Sequence, residues 1–465
     1  MSKKMGKDKI IPVVKNNNYI MIIDDIGTRG EGIGKIDGYT LFVEGALPKE
    51  EVEVKVLKTK KNYGFAKLLN IIKPSTNRVE PICNISKQCG GCQLQHLSYD
   101  EQLIYKQKKV ENVLQRIGQV NNVKVNKTIG MDNPYYYRNK VQFPVRQGKN
   151  GNVEIGFYSE RSHRIVETDT CYIQHPINEQ IVKLIREFIL ENNISPYNEE
   201  KHRGLIRHII TRISSKNNDV NITIVINGNK LPHQDNLIKK LTTIKEVKGI
   251  CININKEKTN VILGNNITTI WGETNIVDSI GNINYRISPK SFYQVNPIQT
   301  KKLYEKALEY ADLSGEEIVW DAYCGIGTIT LFLAKKAKKV YGVEIVKEAI
   351  EDAKQNAILN KINNVDFFVG KAEEVIKDKY EQNNIEADVI VVDPPRKGCD
   401  EELLKTIIEM NPKKAVYVSC DPATLARDVR VLMEAGYELK EVQPVDMFPQ
   451  TVHVECVTVL YRQDS

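Results

Sequence analysis

The sequence predicts an α/β protein in three parts: a small N-terminal β-barrel, an α+β middle, and a doubly wound, mostly parallel sheet at the C-terminal end. Three observations carry this. Short β segments punctuated by glycine fill Asn16 to about Ile72, strand-like runs with one clear helix fill Val123 to about Ile287, and strands alternate with helices from about Ser288 onward. The length, 465 residues, suits about three domains at ~150 residues each.

Composition narrows the class. With 41% hydrophobic and 27% charged residues the chain reads as an ordinary soluble protein. Apolar runs such as Thr330 to Ala334 stop far short of the roughly 20 residues needed to cross a bilayer, so no membrane partner is expected. The opening MSKKMGKDKI carries positive charge but no apolar stretch behind it, which argues against export and for the cytoplasm. Nine cysteines in that reducing compartment are expected to be thiols. Net charge is +7, modest for this size, but its distribution is informative. Between Val54 and Lys73 six lysines (Lys55, Lys58, Lys60, Lys61, Lys67 and Lys73) and no acid alternate with Val56, Leu57, Tyr63 and Phe65.

The first β segments, YIMIIDDIG, GEGIGKIDGYTLFVEGAL and EEVEVKVLKTKKNYGFAKLLNII, alternate apolar positions as barrel strands do. This pattern, assigned to residues 14–73, resembles a TRAM domain, an OB-like RNA-binding barrel. The resemblance implies backbone binding by lysines and an aromatic face; the alternative is a solvated lysine-rich surface without a ligand. Next comes Cys83-x5-Cys89-x2-Cys92. Three thiols this close in a cytosolic protein suit metal ligation. Zinc and iron–sulfur both remain open, although zinc sites favour paired C-x-x-C knuckles and only one is present. The C-x3-C-x2-C spacing of radical chemistry is not matched.

A helix is expected from about Ser98 to Ile117, where Leu103, Val110, Val113, Leu114 and Ile117 recur at helical spacing. Residues 98–120 are thus a candidate to pack on the C-terminal domain. The middle domain, 74–287, contains the runs KVQFPVR, VEIGFYS, HIITRIS, NITIVIN and GICININ and a helix at Ile181 to Glu191. In the C-terminal part, 288–465, expected elements are helix Thr300 to Ala311, strand Glu317 to Trp320, helix Thr328 to Ala334, strand Lys339 to Val343, helix Lys347 to Asn360, strands Val365 to Val369 and Asp388 to Val392, helix Glu401 to Met410, strand Ala415 to Val418, helix Ala423 to Ala435 and a closing strand pair.

The run EIVWDAYCGIGT, Glu317 to Thr328, is a strand entering a glycine turn and then a helix. Gly325 and Gly327 let the backbone approach a ligand that side chains would exclude. A lone G-x-G is weak evidence, and the third glycine of a dinucleotide fingerprint is absent. Glu344, 23 positions after Asp321 at the end of the next strand, is placed to accept from the two ribose hydroxyls of an adenosine ligand. Strand DVIVV ends in Asp393-Pro-Pro-Arg396-Lys-Gly398, setting Asp393 at the carboxyl edge of the sheet. This looks like a class I (Rossmann-like) S-adenosylmethionine-dependent methyltransferase rather than a dehydrogenase. Arg396 stands where amino-methylating D-P-P-Y enzymes carry a base-stacking aromatic, so that reaction is disfavoured.

The run Ser419-Cys420-Asp421-Pro422 puts Cys420 just beyond another core strand on the same edge. It is the candidate nucleophile, and the following helix N-terminus is expected to depress its pKa. Cys251, Cys324, Cys399 and Cys456 read as packing. Glu455, an acid among apolar strand residues, is a candidate base or an edge-strand salt bridge.

Taken together, S-F-Y-Q-V-N-P (Ser291 to Pro297), D-A-Y-C-G-I-G-T (Asp321 to Thr328), D-P-P-R-K-G (Asp393 to Gly398), S-C-D-P-A-T-L-A-R-D (Ser419 to Asp428) and H-V-E-C (His453 to Cys456) resemble the RNA uracil-5-methyltransferase family. The chemistry needs such residues, because carbon 5 of uracil is too weak a nucleophile until a thiolate adds to carbon 6. The resemblance implies Cys420 as that thiolate, Glu455 as the base, and Gln294, Tyr323, Glu344 and Asp393 with the glycine turn as S-adenosylmethionine positions, Gln294 or Asp393 being also candidates to touch the base edge. Thr328, where some relatives carry asparagine, is left out of the site. The target base must leave its stack, so a loop or unfolded RNA segment is expected.

The resemblance further implies a [4Fe–4S] cluster on Cys83, Cys89, Cys92 and a fourth ligand, Cys171, with a structural or RNA-contacting role. It also implies large-subunit (23S) ribosomal RNA as substrate, with transfer RNA uridine or RNA cytosine as alternatives. A non-catalytic RNA-binding assembly factor is the alternative from another class. No obligate protein partner is evident.

Overall fold

A computed structural model describes residues 11–463 apart from Lys149, Arg161 and Asp169; the opening stretch read for export lies outside the described residues. The chain divides into two compact units, residues 1–105 with 450–452, and residues 106–449 with 453–465.

The smaller unit is built on a closed barrel of five strands, Asn18–Ile26, Gly32–Ile36, Tyr39–Glu44, Glu51–Thr59 and Tyr63–Lys73, the last two exchanged in spatial order. Strict alternation explains it: Val52, Val54 and Val56 point inward with Met21, Ile23, Leu41 and Val43, while the residues between them face out. Of the six lysines, Lys58, Lys60, Lys61, Lys67 and Lys73 are exposed. Phe42, Tyr63 and Phe65 cluster nearby with ring centroids 5.7–5.8 Å apart. Glu50, fully buried, accepts from Arg78 Nε and Nη2 and from the Leu47 and Ser75 backbone, tying the barrel to the segment that follows it.

The larger unit carries two large sheets. Seven strands lie in the order Asn266–Gly272, Val247–Ile254, Val220–Ile226, Ile206–Ile213, Lys140–Gln147, Val153–Tyr158 and Ile165–Glu167. Helices Ile177–Glu191 and Gln234–Leu241 bury Ile181, Ile185, Phe188, Leu237 and Leu241 in its core. The second of these was not expected from sequence, because its eight residues offer only two buried apolar positions, Leu237 and Leu241.

The second large sheet runs Val365–Val369, Lys339–Glu344, Ile318–Ala322, Val389–Val392, Lys414–Ser419, Glu455–Arg462, Tyr437–Val445 and Lys124–Val125. The first five are parallel and Glu455–Arg462 is antiparallel to its neighbour Lys414–Ser419. This is the doubly wound sheet expected, with the chain's direction of travel reversing between Ile318–Ala322 and Val389–Val392, the switch point where such sheets bind ligands. Helix Ala372–Asn383 escaped the sequence reading; only Ala372 and Ile376 are buried, too sparse a stripe to see. The hairpin Ile276–Ile280 with Ile283–Ile287 packs its isoleucines and Tyr285 into the same core as Leu303 and Val319. Val110, Leu114 and Val120 join the core on the other face with Trp320 and Ile390.

Candidate active site

The candidate site is built at the carboxyl edge of the C-terminal sheet. After strand Ile318–Ala322 the chain turns sharply: Tyr323 N–H and Cys324 N–H both donate to Val343 O, at 3.0 and 2.9 Å. Tyr323, Gly325 and Gly327 all have left-handed φ, +80°, +55° and +83°. That conformation is cheap for glycine and costs a tyrosine about 1 kcal/mol or more, which the two anchoring bonds offset. A Cβ built on Gly325 would meet nothing within 4 Å, so open space lies beside the turn.

The next strand ends at Glu344, whose Oε2 accepts from Gly325 N–H at 3.2 Å and Oε1 from Val346 N–H at 3.0 Å. The carboxylate is thereby held against the glycine turn. Beneath it Asp321 is fully buried; Oδ2 accepts from Thr330 Oγ1 at 2.5 Å and Oδ1 has no partner. Burial, with Asp393 and Glu344 adding to it, pushes Asp321 up to about 7. Asp393 follows strand Val389–Val392 and is likewise pushed up by burial to about 7.

Gln294 is buried, and its backbone carbonyl accepts from Asn139 Nδ2 at 2.9 Å. Asn139 N–H donates to Val295 O, and Asn296 caps helix Pro297–Ala311, so the turn carrying Gln294 is pinned from both sides. Thr328 is held by two tyrosines: Tyr304 donates to its hydroxyl and Tyr285 to its carbonyl.

Strand Lys414–Ser419 ends one residue before Cys420, and Asp421 then caps helix Pro422–Glu434 by accepting from Ala423 N–H at 2.8 Å. Ser419 pairs with Cys456 across the antiparallel ladder, so the next rung sets Cys420 beside Glu455. Glu455 is buried, with Oε2 unpartnered, and is pushed up to about 8 by burial and by Asp393, Arg396 opposing. It is not a solvent-exposed edge salt bridge.

One expectation is corrected here. Burial pushes the Cys420 thiol up to about 12, with Glu455 and Asp393 adding to the rise and Arg396 reducing it. The helix N-terminus does not depress it, because desolvation and two neighbouring carboxyl groups outweigh a dipole worth about 1 kcal/mol. Cys251, Cys324, Cys399 and Cys456 are buried, as packing cysteines should be.

Sequence reasoning missed the residues that hold these loops together. Asp428 Oδ2 accepts from Cys399 N–H and Tyr417 Oη at 2.8 and 2.6 Å, and its Oδ1 accepts from Arg427 Nε at 2.7 Å. Arg427 in turn donates to Lys397 O. This couples the loop after Asp393 to the helix after Cys420. The signal was present as R-D inside the S-C-D-P motif, but nothing in the spacing told which loop it would reach.

The residues present suit S-adenosylmethionine: a carboxylate pinned at a glycine turn for ribose hydroxyls, a sterically open approach, and buried carboxyl groups, one with an unpartnered oxygen, to complement a sulfonium. A family model described as tRNA (Uracil-5-)-methyltransferase matches residues 98–463, and a TRAM domain model matches residues 21–69. The chain belongs to the tRNA (uracil-5-)-methyltransferase family. It is an S-adenosylmethionine-dependent RNA methyltransferase with an N-terminal RNA-binding barrel. An "Uncharacterized RNA methyltransferase" of Clostridium tetani is 54% identical over 457 residues, covering 98% of both chains. One from Halalkalibacterium halodurans is 54% identical over 450 residues, covering 97% of this chain and 98% of that protein. Among solved structures, the Pyrococcus abyssi tRNA (uracil-54, C5)-methyltransferase in complex with S-adenosyl-L-homocysteine superposes with a TM-score of 0.76 at 30% identity, covering 95% of this chain and 99% of the other.

The cysteines of the expected cluster fall in two units. Cys83, Cys89 and Cys92 lie half-buried in one turn-rich segment of the smaller unit, and Gly91 N–H donates to Cys89 Sγ at 3.4 Å. Cys171, also half-buried, belongs to the larger unit. Among the described residues no three His, Cys, Asp or Glu side chains converge as a single metal ion would require. No described helix is long and apolar enough to cross a membrane.

Proposed function

We propose that the protein methylates carbon 5 of a uridine in large-subunit (23S) ribosomal RNA through a covalent adduct on Cys420, working in the cytoplasm. The observation that carries the chemistry is the ladder register that makes Cys420 and Glu455 neighbours at the edge of the sheet that also bears Asp393. S-adenosylmethionine, when bound, supplies the electrophilic methyl group. Gln294, Tyr323, Glu344, Asp393, Gly325 and Gly327 hold and orient it, Glu344 on the ribose side.

Cys420 Sγ, giving its proton to solvent, bonds to carbon 6 of the flipped uracil, and the carbon 5–carbon 6 π pair moves toward the carbon 4 oxygen to make an enolate. The nucleophilic carbon 5 then gains the methyl as the methyl's bond to the sulfonium sulfur breaks. Glu455 takes the carbon 5 proton, the electron pair re-forms the double bond, and Sγ leaves. A buried carboxyl group at about 8 suits a base that takes a proton and returns it to solvent near neutrality.

The substrate choice rests on the TRAM barrel and the cysteine spacing. A second reading, transfer RNA, is favoured by the tRNA enzyme of Pyrococcus abyssi, whose match leaves a smaller share of this chain uncovered than the barrel occupies. The test is incubation with methyl-labelled S-adenosylmethionine and unmodified 23S ribosomal or transfer RNA, then nucleoside identification by mass spectrometry. Label in 5-methyluridine from 23S RNA is expected; label from transfer RNA alone keeps the chemistry and refutes the substrate. Label in 5-methylcytidine, or none, refutes the uridine reaction.

The cluster proposal is separate: Cys83, Cys89 and Cys92 supply three thiolates to a [4Fe–4S] group, Cys171 the fourth. Its support is the spacing and the N–H donated to Cys89 Sγ, the type of contact thiolate ligands receive. Anaerobic purification followed by iron, sulfide and zinc analysis is expected to give four irons, and fewer in Cys171→Ser; stoichiometric zinc overturns it. The three-part division at 14–73, 74–287 and 288–465 is likewise our proposal, with the hairpin 276–287 lending its apolar face to the last part.

A further inference from the structure

A cavity of about 340 Å³ opens in the seven-stranded sheet and shares no residue with the candidate active site. Its floor is set by an irregularity of backbone. Strand Ile206–Ile213 shifts register against Val220–Ile226 between Ile206 and His208, which inserts Arg207 as an extra residue. Such a bulge re-aims side chains, and here both Arg207 and His208 line the cavity.

Both are more than nine-tenths buried, at 4% and 8% exposure. The guanidinium of Arg207 donates through Nη1 to Asn255 O and Glu257 O, both at 2.8 Å, and lies 4.7 Å from the centroid of the Tyr197 ring. Its Nε has no partner, and neither does His208 Nδ1. Burial and the charge of Arg207 push His208 down to about 4, so at neutral pH its ring offers one donor and one acceptor. Burying polar nitrogens with nothing to bond is costly, and a ligand with its own donors and acceptors removes that cost.

The walls and rim define the ligand's other parts. Tyr158 is 38% exposed and Tyr197 buried, giving aromatic surface from solvent to floor. Arg146 and the exposed Lys258 add positive charge. The acid on the lining, Glu199, is engaged with His163 Nδ1 at 3.0 Å, and Glu200 lies 3.7 Å from Arg146. Rings and a guanidinium beside buried hydrogen-bonding nitrogens, with cations at the rim, are what an unstacked nucleotide requires: a stacking surface, an edge reader and a phosphate partner. The volume is at the small end of the roughly 300–1,000 Å³ range of ligand pockets.

We propose that this cavity takes one unstacked ribonucleotide of the substrate RNA, its base against the tyrosines and the Arg207–His208 floor and its phosphate toward Arg146 and Lys258. The proposal rests on the RNA-methylating reading and adds a second anchoring point for the strand.

The test uses the full chain with 23S and transfer RNA transcripts carrying 4-thiouridine. Photo-crosslinks are expected in peptides spanning 144–165, 197–208 or 258–262. Tyr158→Ala and Lys258→Ala, at exposed positions, are expected to weaken RNA binding roughly tenfold, the loss of about one stacking or phosphate contact, with melting temperature and S-adenosylmethionine affinity unchanged. Native RNA affinity in both variants with no crosslink in these peptides overturns the proposal. So does binding of AMP or UMP, followed by saturation-transfer NMR, that the variants abolish while RNA affinity stays native; the cavity then serves a free nucleotide. Failure of the uridine-methylating reading shows separately, as absence of 5-methyluridine label with the unaltered protein.

Discussion

Burial raises both Cys420 and Glu455, and Glu455 adds to the rise of the Cys420 thiol. Cys420→Ala is expected to reduce methylation by about 10³-fold or more while leaving RNA affinity intact, measured by label transfer and filter binding. In the proposed mechanism Glu455→Gln keeps the nucleophile but lacks the base, so turnover is expected to fall by about 10²–10⁴-fold and a protein–RNA adduct to persist on denaturing gels. The pair also predicts a pH effect in the protein alone. Glu455 titrates near 8, and its negative charge raises the Cys420 thiol. Below about pH 8 the carboxyl is neutral and Glu455→Gln changes little. Above it the wild-type protein carries the opposing charge, so the variant is expected to alkylate faster with iodoacetamide, followed by mass spectrometry of the Cys420 peptide. Equal rates above pH 8 would show that the two groups do not sense one another.

At the scale of elements, catalysis depends on loops being held at the sheet edge, and Asp428 is the residue that holds two of them. Fully buried, it accepts from a backbone N–H, a tyrosine and an arginine. Asp428→Ala leaves Cys399 N–H and Tyr417 Oη without their partner, and urea unfolding is expected to show a loss of about 3 kcal/mol. Because Arg427 reaches Lys397 O from the same node, methylation by the folded variant is expected to drop as well. A variant as stable as the parent would remove Asp428 from this role. The helix it sits on was expected over Ala423 to Ala435, and it spans Pro422–Glu434, whereas its contact with the loop after Asp393 was not legible.

For the whole molecule, the buried carboxyl groups tie stability to pH. Asp321 and Asp393 rise to about 7 and Glu455 to about 8, all from the ordinary carboxylate range. A raised folded pKa means that the folded state holds protons the unfolded chain has released. Stability from these groups is therefore full below the unfolded values and is lost as pH rises through about 7 to 8. The melting temperature is expected to fall between about pH 5 and pH 8 and to level off above, and Asp393→Asn or Glu455→Gln to flatten that fall; a parent curve that is flat over this range would contradict it. S-adenosylmethionine, a cation, is expected to oppose the loss by stabilising the charged carboxylates.

Much was determined by sequence alone. Alternating apolar residues predicted the barrel, alternating strands and helices predicted the wound sheet, and the runs around Gly325, Asp393 and Cys420 located three loops at its edge, because strand ends and glycine turns are local properties. The sequence also carried Glu455 as a candidate, though not its neighbour. That was decided by tertiary structure: the last strand inserts antiparallel between Lys414–Ser419 and Tyr437–Val445, and only this pairing joins Glu455 to a cysteine 35 positions earlier. The fold likewise reversed the expected lowering of the Cys420 pKa and assembled Asp428, Arg207 and His208 into their settings. Local pattern sets which backbone conformation a segment takes, but desolvation and the charges around a side chain come from segments distant in the chain, and these exist only once the sheet has closed around them.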